Sequence, residues 1–363
     1  MKALVTGAIG FVGKYMMIEL ASSGYSVRGV DVADSFDAVS LDPLNRWFER
    51  GNTAGYDAGV IDYRRCDILD YDCVVSVIDE YVPDVIVHLA AQSSAARSFD
   101  DPIGTMKTNL LGTMNLFEAV RRFVSSDRVK ESESGRLRIL SVGSSDEYGN
   151  RRPEEMPLEE TTKVDPISPY AVSKAAQSML ARQYSVAFGL EIISTRSFSH
   201  TGPFQSERFV LPAFAKQCAE IKFAVAEPVI RTGNIDVIRD FSDVTDTVRA
   251  YRLLVEKGRA GEVYNVCSCN GLRLRDALNM MMMLTGIEAE VTVDKTLLRP
   301  AELEVLVGLN EKLKRDTGWE ARYDAAGVIS RLVEFWTERL GAEGKDRHVG
   351  DFNRGLGSQS KKE

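Results

Sequence analysis

"KALVTGAIGFVG", residues 2–13, is the stretch on which the fold turns. A short apolar run ends at Gly7, and two more glycines follow at intervals of three, Gly10 and Gly13. "FVGKYMMIELASSG" (11–24) then repeats apolar residues at helical spacing and stops at Gly24, a residue suited to a helix C-cap. The order is strand, glycine turn, helix. Glycines in such a turn let the chain bend tightly, let the backbone approach a pyrophosphate, and let the helix pack closely on the strand. The helix N-terminus offers unpaired N–H groups to the phosphates. A glycine pattern alone is common; its place between a strand and a helix gives it weight. The next strand, "YSVRGVD" (25–31), closes on Asp31, eighteen residues after Gly13. An acid there accepts hydrogen bonds from adenosine ribose hydroxyls and repels a 2′-phosphate, which favours NAD(H) and leaves NADP(H) as the alternative. Asp67, in "RRCDILD" (64–70), is placed to meet the adenine edge.

The alternation continues outward. "CVVSVIDEY" (73–81) reads as helix, "DVIVHLAA" (84–91) as strand, "NLLGTMNLFEAVRRFV" (109–124) as helix and "RLRILSVGSS" (136–145) as strand. "SPYAVSKAAQSMLARQYSVAFG" (168–189) is a further helix, and "LEIISTRSF" (190–198) a further strand. Strands alternating with helices predict an α/β fold with a doubly wound, Rossmann-type parallel sheet over residues 1–200. Beyond residue 200 the alternation weakens. Helices over 208–221, 243–258 and 274–286, with short strands between, predict a smaller mixed region over 201–340 that exchanges some segments with the first. The Met281–Met283 run reads as core or interface filling. Polar residues 341–363 predict a disordered tail, and 34–60 and 125–136 read as solvated insertions.

Composition excludes several classes. Among 363 residues, 45 Lys and Arg stand against 53 Asp and Glu, a net charge of −8, which argues against a nucleic-acid-binding face. A few local arginines still suffice to hold a phosphate. No apolar run approaches a membrane span, and the N-terminus runs straight into a strand without a signal-peptide pattern, so the expected location is cytoplasmic. The five cysteines (66, 73, 218, 267, 269) are irregularly spaced and predict no disulfide framework. Cys267-Ser268-Cys269 is too closely spaced for the usual zinc pairs. These thiols read as buried or incidental, and with three histidines no metal site is expected.

Tyr170 and Lys174 stand four apart and share one face of a helix. The pair alone is common by chance; the surrounding motifs give it meaning. "TGAIGFVG" (6–13), "HLAAQSS" (88–94), "TNLLGT" (108–113), "SVGSSDEYG" (141–149), "PYAVSK" (169–174), "RSFSHTGP" (196–203), "RDFSDVTD" (239–246) and "LRP" (298–300) occur in that order. With them, roughly residues 1–325 resemble the extended short-chain dehydrogenase/reductase family. More narrowly, 200–221, 261–268 and 297–308 resemble the GDP-4-keto-6-deoxy-mannose reductases, relatives of the GDP-mannose 4,6-dehydratases.

The resemblance implies roles. Tyr170 is the acid/base. Lys174, with a cationic nicotinamide, brings the phenol from its ordinary pKa near 10 toward the working range, and also bonds the nicotinamide ribose. Alignment on Tyr148-Gly149 makes Ser144 the hydroxyl that meets the reacting sugar oxygen; an ungapped alignment selects Ser145, and Ser144 is preferred. A dehydratase would use a carboxylate in this loop, for which Asp146 or Glu147 could serve. Asn109 either organises the site or bonds backbone. Gly7, Gly10, Phe11, Val12, Gly13, Asp31, Asp67, Ile68, Leu89, Ala90, Ala91, Tyr170 and Lys174 hold the cofactor. Ser93, Ser144, Ser199, Arg208, Arg239 and Arg299 take the nucleotide sugar, guanidinium forks suiting phosphate oxygens. Ser199 stands where the family commonly has Asn. The region 201–340 is then mainly substrate-binding.

The implied activity is NAD(P)H-dependent reduction of a nucleotide-linked 4-keto-6-deoxy sugar, with a GDP sugar favoured. Dehydration of GDP-mannose, another epimerase or dehydratase chemistry, and NAD(H) binding without turnover are the alternatives. "GVDVADS" (29–35) and "RFVLPAF" (208–214) stand where the dehydratases usually carry a basic pair and a "TRKI"-like stretch, which points away from dehydration. A homodimer is expected, paired through the long helices over 104–123 and 170–188.

Overall fold

The strands β1 (Lys2–Thr6), β2 (Ser26–Asp31), β3 (Ile61–Arg65), β4 (Val85–His88), β5 (Arg138–Ser144) and β6 (Glu191–Ser197) join the strand Val263–Val266 in one seven-stranded sheet. The order is Val263–Val266, β6, β5, β4, β1, β2, β3, and every pairing is parallel. These coordinates of the chain come from a computed structural model, which describes residues 1–48, 57–126, 128–298 and 303–356. β1 and β4 are nearly continuous in apolar burial, as strands covered on both faces must be. The chain leaves β1 toward β2 on one side, and β4 lies on the other. That reversal opens a crevice at the carboxyl ends of β1 and β4, where doubly wound sheets bind ligands.

The first helix, Phe11–Ser22, ends where its sequence predicts, with Gly24 at φ +86° just beyond. Helices Tyr71–Tyr81 and Gly112–Ser125 bury Val74, Val77, Ile78, Leu116, Phe117, Val120 and Phe123 in one apolar cluster with Leu4, Ile86 and Ile139 of the sheet. The insertion 34–60 differs from its reading as a solvated segment. Leu41, Leu44 and Trp47 are buried, so its apolar residues anchor it, while 49–56 lie outside the described residues. Residues 128–136 are mostly exposed, in keeping with a solvated insertion, and are fastened where Asp84 accepts hydrogen bonds from the Ser134 amide (2.7 Å) and hydroxyl (2.8 Å).

Two structural units divide the chain. The first comprises 1–200, 237–272 and 299–324 and contains the sheet; two stretches of the second half of the sequence therefore belong to it. Within it, Ile238–Asp243 pairs in parallel with Val305–Leu306, and the Trp319 indole donates to the Asp246 carbonyl at 3.0 Å. The second unit comprises 201–236, 273–298 and 325–363. It holds helices Val210–Lys222 and Leu274–Thr285, the parallel strands Val229–Thr232 and Glu290–Val293, and the last helix, Ala325–Leu356. That helix enters the segment 341–363 expected as a disordered tail; 357–363 lie outside the described residues. Among the described residues no helix is long and apolar enough to cross a membrane.

Candidate active site

The glycine turn has no room for side chains. Gly7 has φ +71°, and a Cβ on it would lie 2.7 Å from the Ala90 nitrogen; one on Gly13 would lie 2.7 Å from the Ala8 carbonyl oxygen. Gly10 caps the helix Phe11–Ser22 without a side chain, so nothing in the cap competes for the N–H groups of the first turn, which Phe11 and Val12 begin. This backbone cradle fits a pyrophosphate. Asp31 lies across the turn: its Oδ2 accepts the Ile9 N–H at 3.2 Å and its Oδ1 the Val32 N–H at 2.8 Å. Arg65 is the register partner of Asp31 on β3 and pairs with Asp34 at 2.9 Å. Asp67 is exposed and accepts from the Leu69 amide at 2.9 Å, whereas Ile68 is buried against Gly112.

Leu89, Ala90 and Ala91 follow β4 and are half-buried, and both Leu89 and Ala90 donate to Thr6 at 3.2 Å. Beneath them, buried His88 bridges Thr6 (Nδ1, 2.7 Å) and Thr113 (Nε2, 2.9 Å). Thr113 donates its own proton to the Asn109 carbonyl, so it accepts from Nε2–H. Burial, with the Lys174 charge adding to it, lowers His88 to about 3 and keeps the ring neutral.

The catalytic candidates cluster at the end of β5. Ser144 is the last residue of β5 and caps the turn Ser145–Tyr148, accepting the Asp146 N–H at 3.2 Å. The Ser144 amide donates to Glu147 Oε1 at 3.0 Å, completing a capping box. Tyr170 is in the first turn of the helix Pro169–Phe188, whose N-cap is Ser168, and it hydrogen-bonds Ser144. Lys174, one turn on, is buried; its Nζ donates to the Val142 carbonyl (2.9 Å) and to Gln177 Oε1 (3.0 Å).

The expected lowering of the Tyr170 pKa is not a property of this chain by itself. Burial first, and the Asp146 carboxylate second, hold the phenol well above its ordinary value, against the opposing hydrogen bond with Ser144. Burial likewise pulls the Lys174 ammonium down to about 8, with Glu147 opposing.

Asn109 bonds backbone, one of its two expected uses, and also reaches the helix Pro169–Phe188. Its side chain pairs with the Gln92 backbone in both directions (2.8 and 3.1 Å) and donates to Ser173 Oγ at 2.9 Å, one residue before Lys174. Ser93 is exposed beside that loop, and Ser199 is half-buried in the strand Ser199–Thr201. Arg239 donates to the carbonyls of Ile238 (2.9 Å), Glu304 (3.4 Å) and Leu303. Arg208 is exposed in the second unit, and Arg299 lies outside the described residues.

Sequence reasoning missed the buried pair beneath Ser144. Glu147 is fully buried, accepts from Ser178 (3.0 Å) and meets Arg196 Nε at 3.3 Å, while the Arg196 guanidinium lies 4.6 Å from the centre of the Tyr148 ring. Burial pushes Glu147 up to about 7, against Arg196 and these hydrogen bonds. In "SSDEYG" two carboxylates stand side by side, and only the path of the turn sends Glu147 inward and leaves Asp146 half-exposed. Gln177, which holds Lys174, was missed as well; its place on the Lys174 face at i+3 was the available signal.

Residues 4–332 match a family model described as GDP-mannose 4,6 dehydratase. A GDP-6-deoxy-D-mannose reductase of Pseudomonas aeruginosa is 30% identical over 343 residues, covering 94% of this chain and 99% of that protein. Among solved structures, RMD from Pseudomonas aeruginosa complexed with NADPH is similar with a TM-score of 0.75 and 29% identity, over 93% of this chain and 99% of that one. A UDP-glucose 4-epimerase of Thermus thermophilus in complex with NAD also has a TM-score of 0.75, at 26% identity, with coverage of 93% and 99%.

Proposed function

The chain belongs to the GDP-mannose 4,6 dehydratase family of the extended short-chain dehydrogenases/reductases, and from that membership we propose that it reduces a nucleotide-linked 4-keto-6-deoxy sugar, most closely GDP-4-keto-6-deoxy-mannose, to a GDP-6-deoxyhexose. The observation that carries the reading is the likeness over 94% of the chain to a GDP-6-deoxy-D-mannose reductase, with Ser144 and Lys174 gathered about Tyr170. Dehydration and epimerisation begin with this residue as a base, whereas ketone reduction begins with it as an acid. Burial and Asp146 hold the phenol above its ordinary value, so at neutral pH it is a proton donor, the form that ketone reduction uses.

A nicotinamide cofactor fits the glycine cradle and, when bound in its reduced form, supplies the hydride. Gly7, Gly10 and Gly13 make room for its pyrophosphate, and Asp31 faces its adenosine ribose, which favours NADH. Arg65, the register partner of Asp31, is a cation that would suit a 2′-phosphate, so NADPH is the second choice. Ser144 and Tyr170 direct their hydroxyls to the substrate carbonyl oxygen. As carbon 4 becomes an alcohol, Tyr170 gives its proton to the nascent alkoxide and is reprotonated from solvent. Lys174 supports the transient phenolate and reaches the cofactor ribose. Arg239 stands for the diphosphate, after exchanging its main-chain partners at 303–304. A two-fold homodimer through the helices within 104–125 and 169–188 completes the reading, because Leu111, Met114, Val172, Met179 and Val186 are exposed along them.

Dehydration of GDP-mannose is the second reading, favoured by the half-exposed Asp146 carboxylate in the turn after Ser144, where a dehydratase needs one. The test is incubation with GDP-4-keto-6-deoxy-mannose and NADH or NADPH, with the product assigned by NMR. Stoichiometric cofactor oxidation with a new carbon-4 carbinol supports the reductase. No cofactor oxidation, with GDP-mannose consumed instead, rejects it. Asp146→Asn separates the two readings again: a reductase loses little, a dehydratase most of its turnover.

A further inference from the structure

Two pairs of cysteines meet in the first unit, and their hydrogen bonds run in opposite senses. Cys66, just after β3, and Cys73, in the first turn of the helix Tyr71–Tyr81, hydrogen-bond each other. Their sulfurs also donate, Cys66 Sγ to the Asp67 carbonyl (3.7 Å) and Cys73 Sγ to the Arg65 carbonyl (3.8 Å). A sulfur that gives a proton to a carbonyl is held as a thiol. Cys267 and Cys269 likewise hydrogen-bond each other, but Cys269 Sγ accepts the Asn310 N–H at 3.1 Å. A sulfur that receives an N–H is favoured as thiolate, which is the nucleophile.

Geometry brings the second pair together. Two residues of chain span at most about 7 Å between Cα atoms, at the edge of the range a disulfide bridges, and any bend brings them inside it. Cys269 itself has φ +67°, a left-handed conformation rare outside glycine. Gly308 leaves space at the other sulfur: a Cβ there would lie 2.9 Å from Cys267 Sγ. Cys267 is buried and Cys269 half-buried, so the partner that meets an oxidant is the one with the N–H donor.

We propose that Cys267 and Cys269 are a reversible oxidation site, a dithiol that a peroxide closes to a disulfide while Cys66 and Cys73 stay reduced. The Cys269 thiolate attacks one peroxide oxygen and the O–O bond breaks. The departing hydroxide takes a proton to become water, and Cys269 is left as a sulfenic acid. The Cys267 sulfur then attacks the Cys269 sulfur; the S–O bond breaks, and the hydroxyl leaves with the Cys267 proton as a second water. Two electrons pass from the thiols to the peroxide. The acidities agree in direction: the hydrogen bond with Cys267, then Asn310 and Lys314, lower Cys269 against burial and the Asp240 carboxylate, while burial raises Cys267 and Cys66. Closure acts on the segment whose Ser268 and Cys269 amides donate to Asp240 (2.7 and 3.0 Å), next to Arg239.

The test uses the full chain, reduced and then treated with hydrogen peroxide in small excess, followed by alkylation and peptide mass mapping. Trypsin leaves Cys267 and Cys269 in peptide 260–273, and Cys66 and Cys73 in peptide 66–97, so each pair is read separately. The expected result is loss of two hydrogens from 260–273, reversed by dithiothreitol, at least about tenfold faster than in 66–97. Cys267→Ser should leave Cys269 as a sulfenic acid that dimedone traps. The proposal is overturned if 66–97 closes first, if both peptides stay reduced, or if Cys269 passes to sulfinic acid in the unmodified chain without closing.

Discussion

Tyr170 sits between two influences that decide its use: a buried setting beside Asp146 that keeps it protonated, and Ser144, whose hydroxyl it meets. Tyr170→Phe removes the transferred proton and keeps most of the ring packing. Turnover should fall by roughly two to four powers of ten, with NADH affinity nearly unchanged in a fluorescence titration. Wild-type turnover in that variant, with chemistry rate-limiting, would remove Tyr170 from the mechanism. Lys174 gives a pH prediction. Its ammonium form prevails below about 8, so the specificity constant for reduction should decline as pH rises through that value; a level profile well beyond it would contradict the role. Asp31→Ala should narrow the preference for NADH over NADPH in paired binding titrations, and no change would mean that Asp31 does not face the ribose. The glycine turn and the placing of Ser144, Tyr170 and Lys174 on neighbouring elements were legible because each follows from local sequence around it. The raised Tyr170 pKa was not, since it depends on how deeply neighbouring elements bury the ring.

At the scale of elements, the strands and helices of the first 200 residues follow their periodicity closely. What escaped the sequence is local and three-dimensional. The turn Ser145–Tyr148 sends Glu147 into the interior against Arg196. The π-helical turn Lys107–Leu111 carries Asn109, whose side chain fastens the Gln92 loop to the helix Pro169–Phe188 at Ser173. Neither propensity nor spacing reveals which side of a turn is buried. The Glu147 pair makes a signed prediction. Its folded pKa, about 7, lies above its ordinary value of 4.5, so folding favours the protonated form. That contribution is complete below the unfolded value and is lost as pH rises through about 7. The melting temperature of the unmodified chain minus that of Glu147→Gln should therefore shrink from about pH 5 to about pH 8. A difference independent of pH would mean that Glu147 stays ionised throughout.

For the whole molecule, the sequence anticipated a Rossmann-type sheet and a smaller mixed region, but not which late segments return to the first unit. Residues 237–272 and 299–324 do so through contacts distant in sequence, such as Val263–Val266 pairing with β6, and no local pattern encodes those. The exposed apolar residues on the helices within 104–125 and 169–188, with Met179 63% and Val186 79% accessible, predict association. Light scattering at micromolar concentration should give twice the chain mass, and Val186→Glu with Met179→Glu should return it to one; a monomeric unmodified chain would reject the dimer.

The central claim is that carbon 4 of the sugar gains its hydrogen from the cofactor and that Tyr170 protonates the oxygen. The most direct measurement is reaction of GDP-4-keto-6-deoxy-mannose with nicotinamide cofactor deuterated at its transferable position, followed by NMR of the sugar. The account predicts one deuterium at carbon 4 for each cofactor oxidised. Deuterium at carbon 6, or conversion of GDP-mannose with no net oxidation of cofactor, would contradict it.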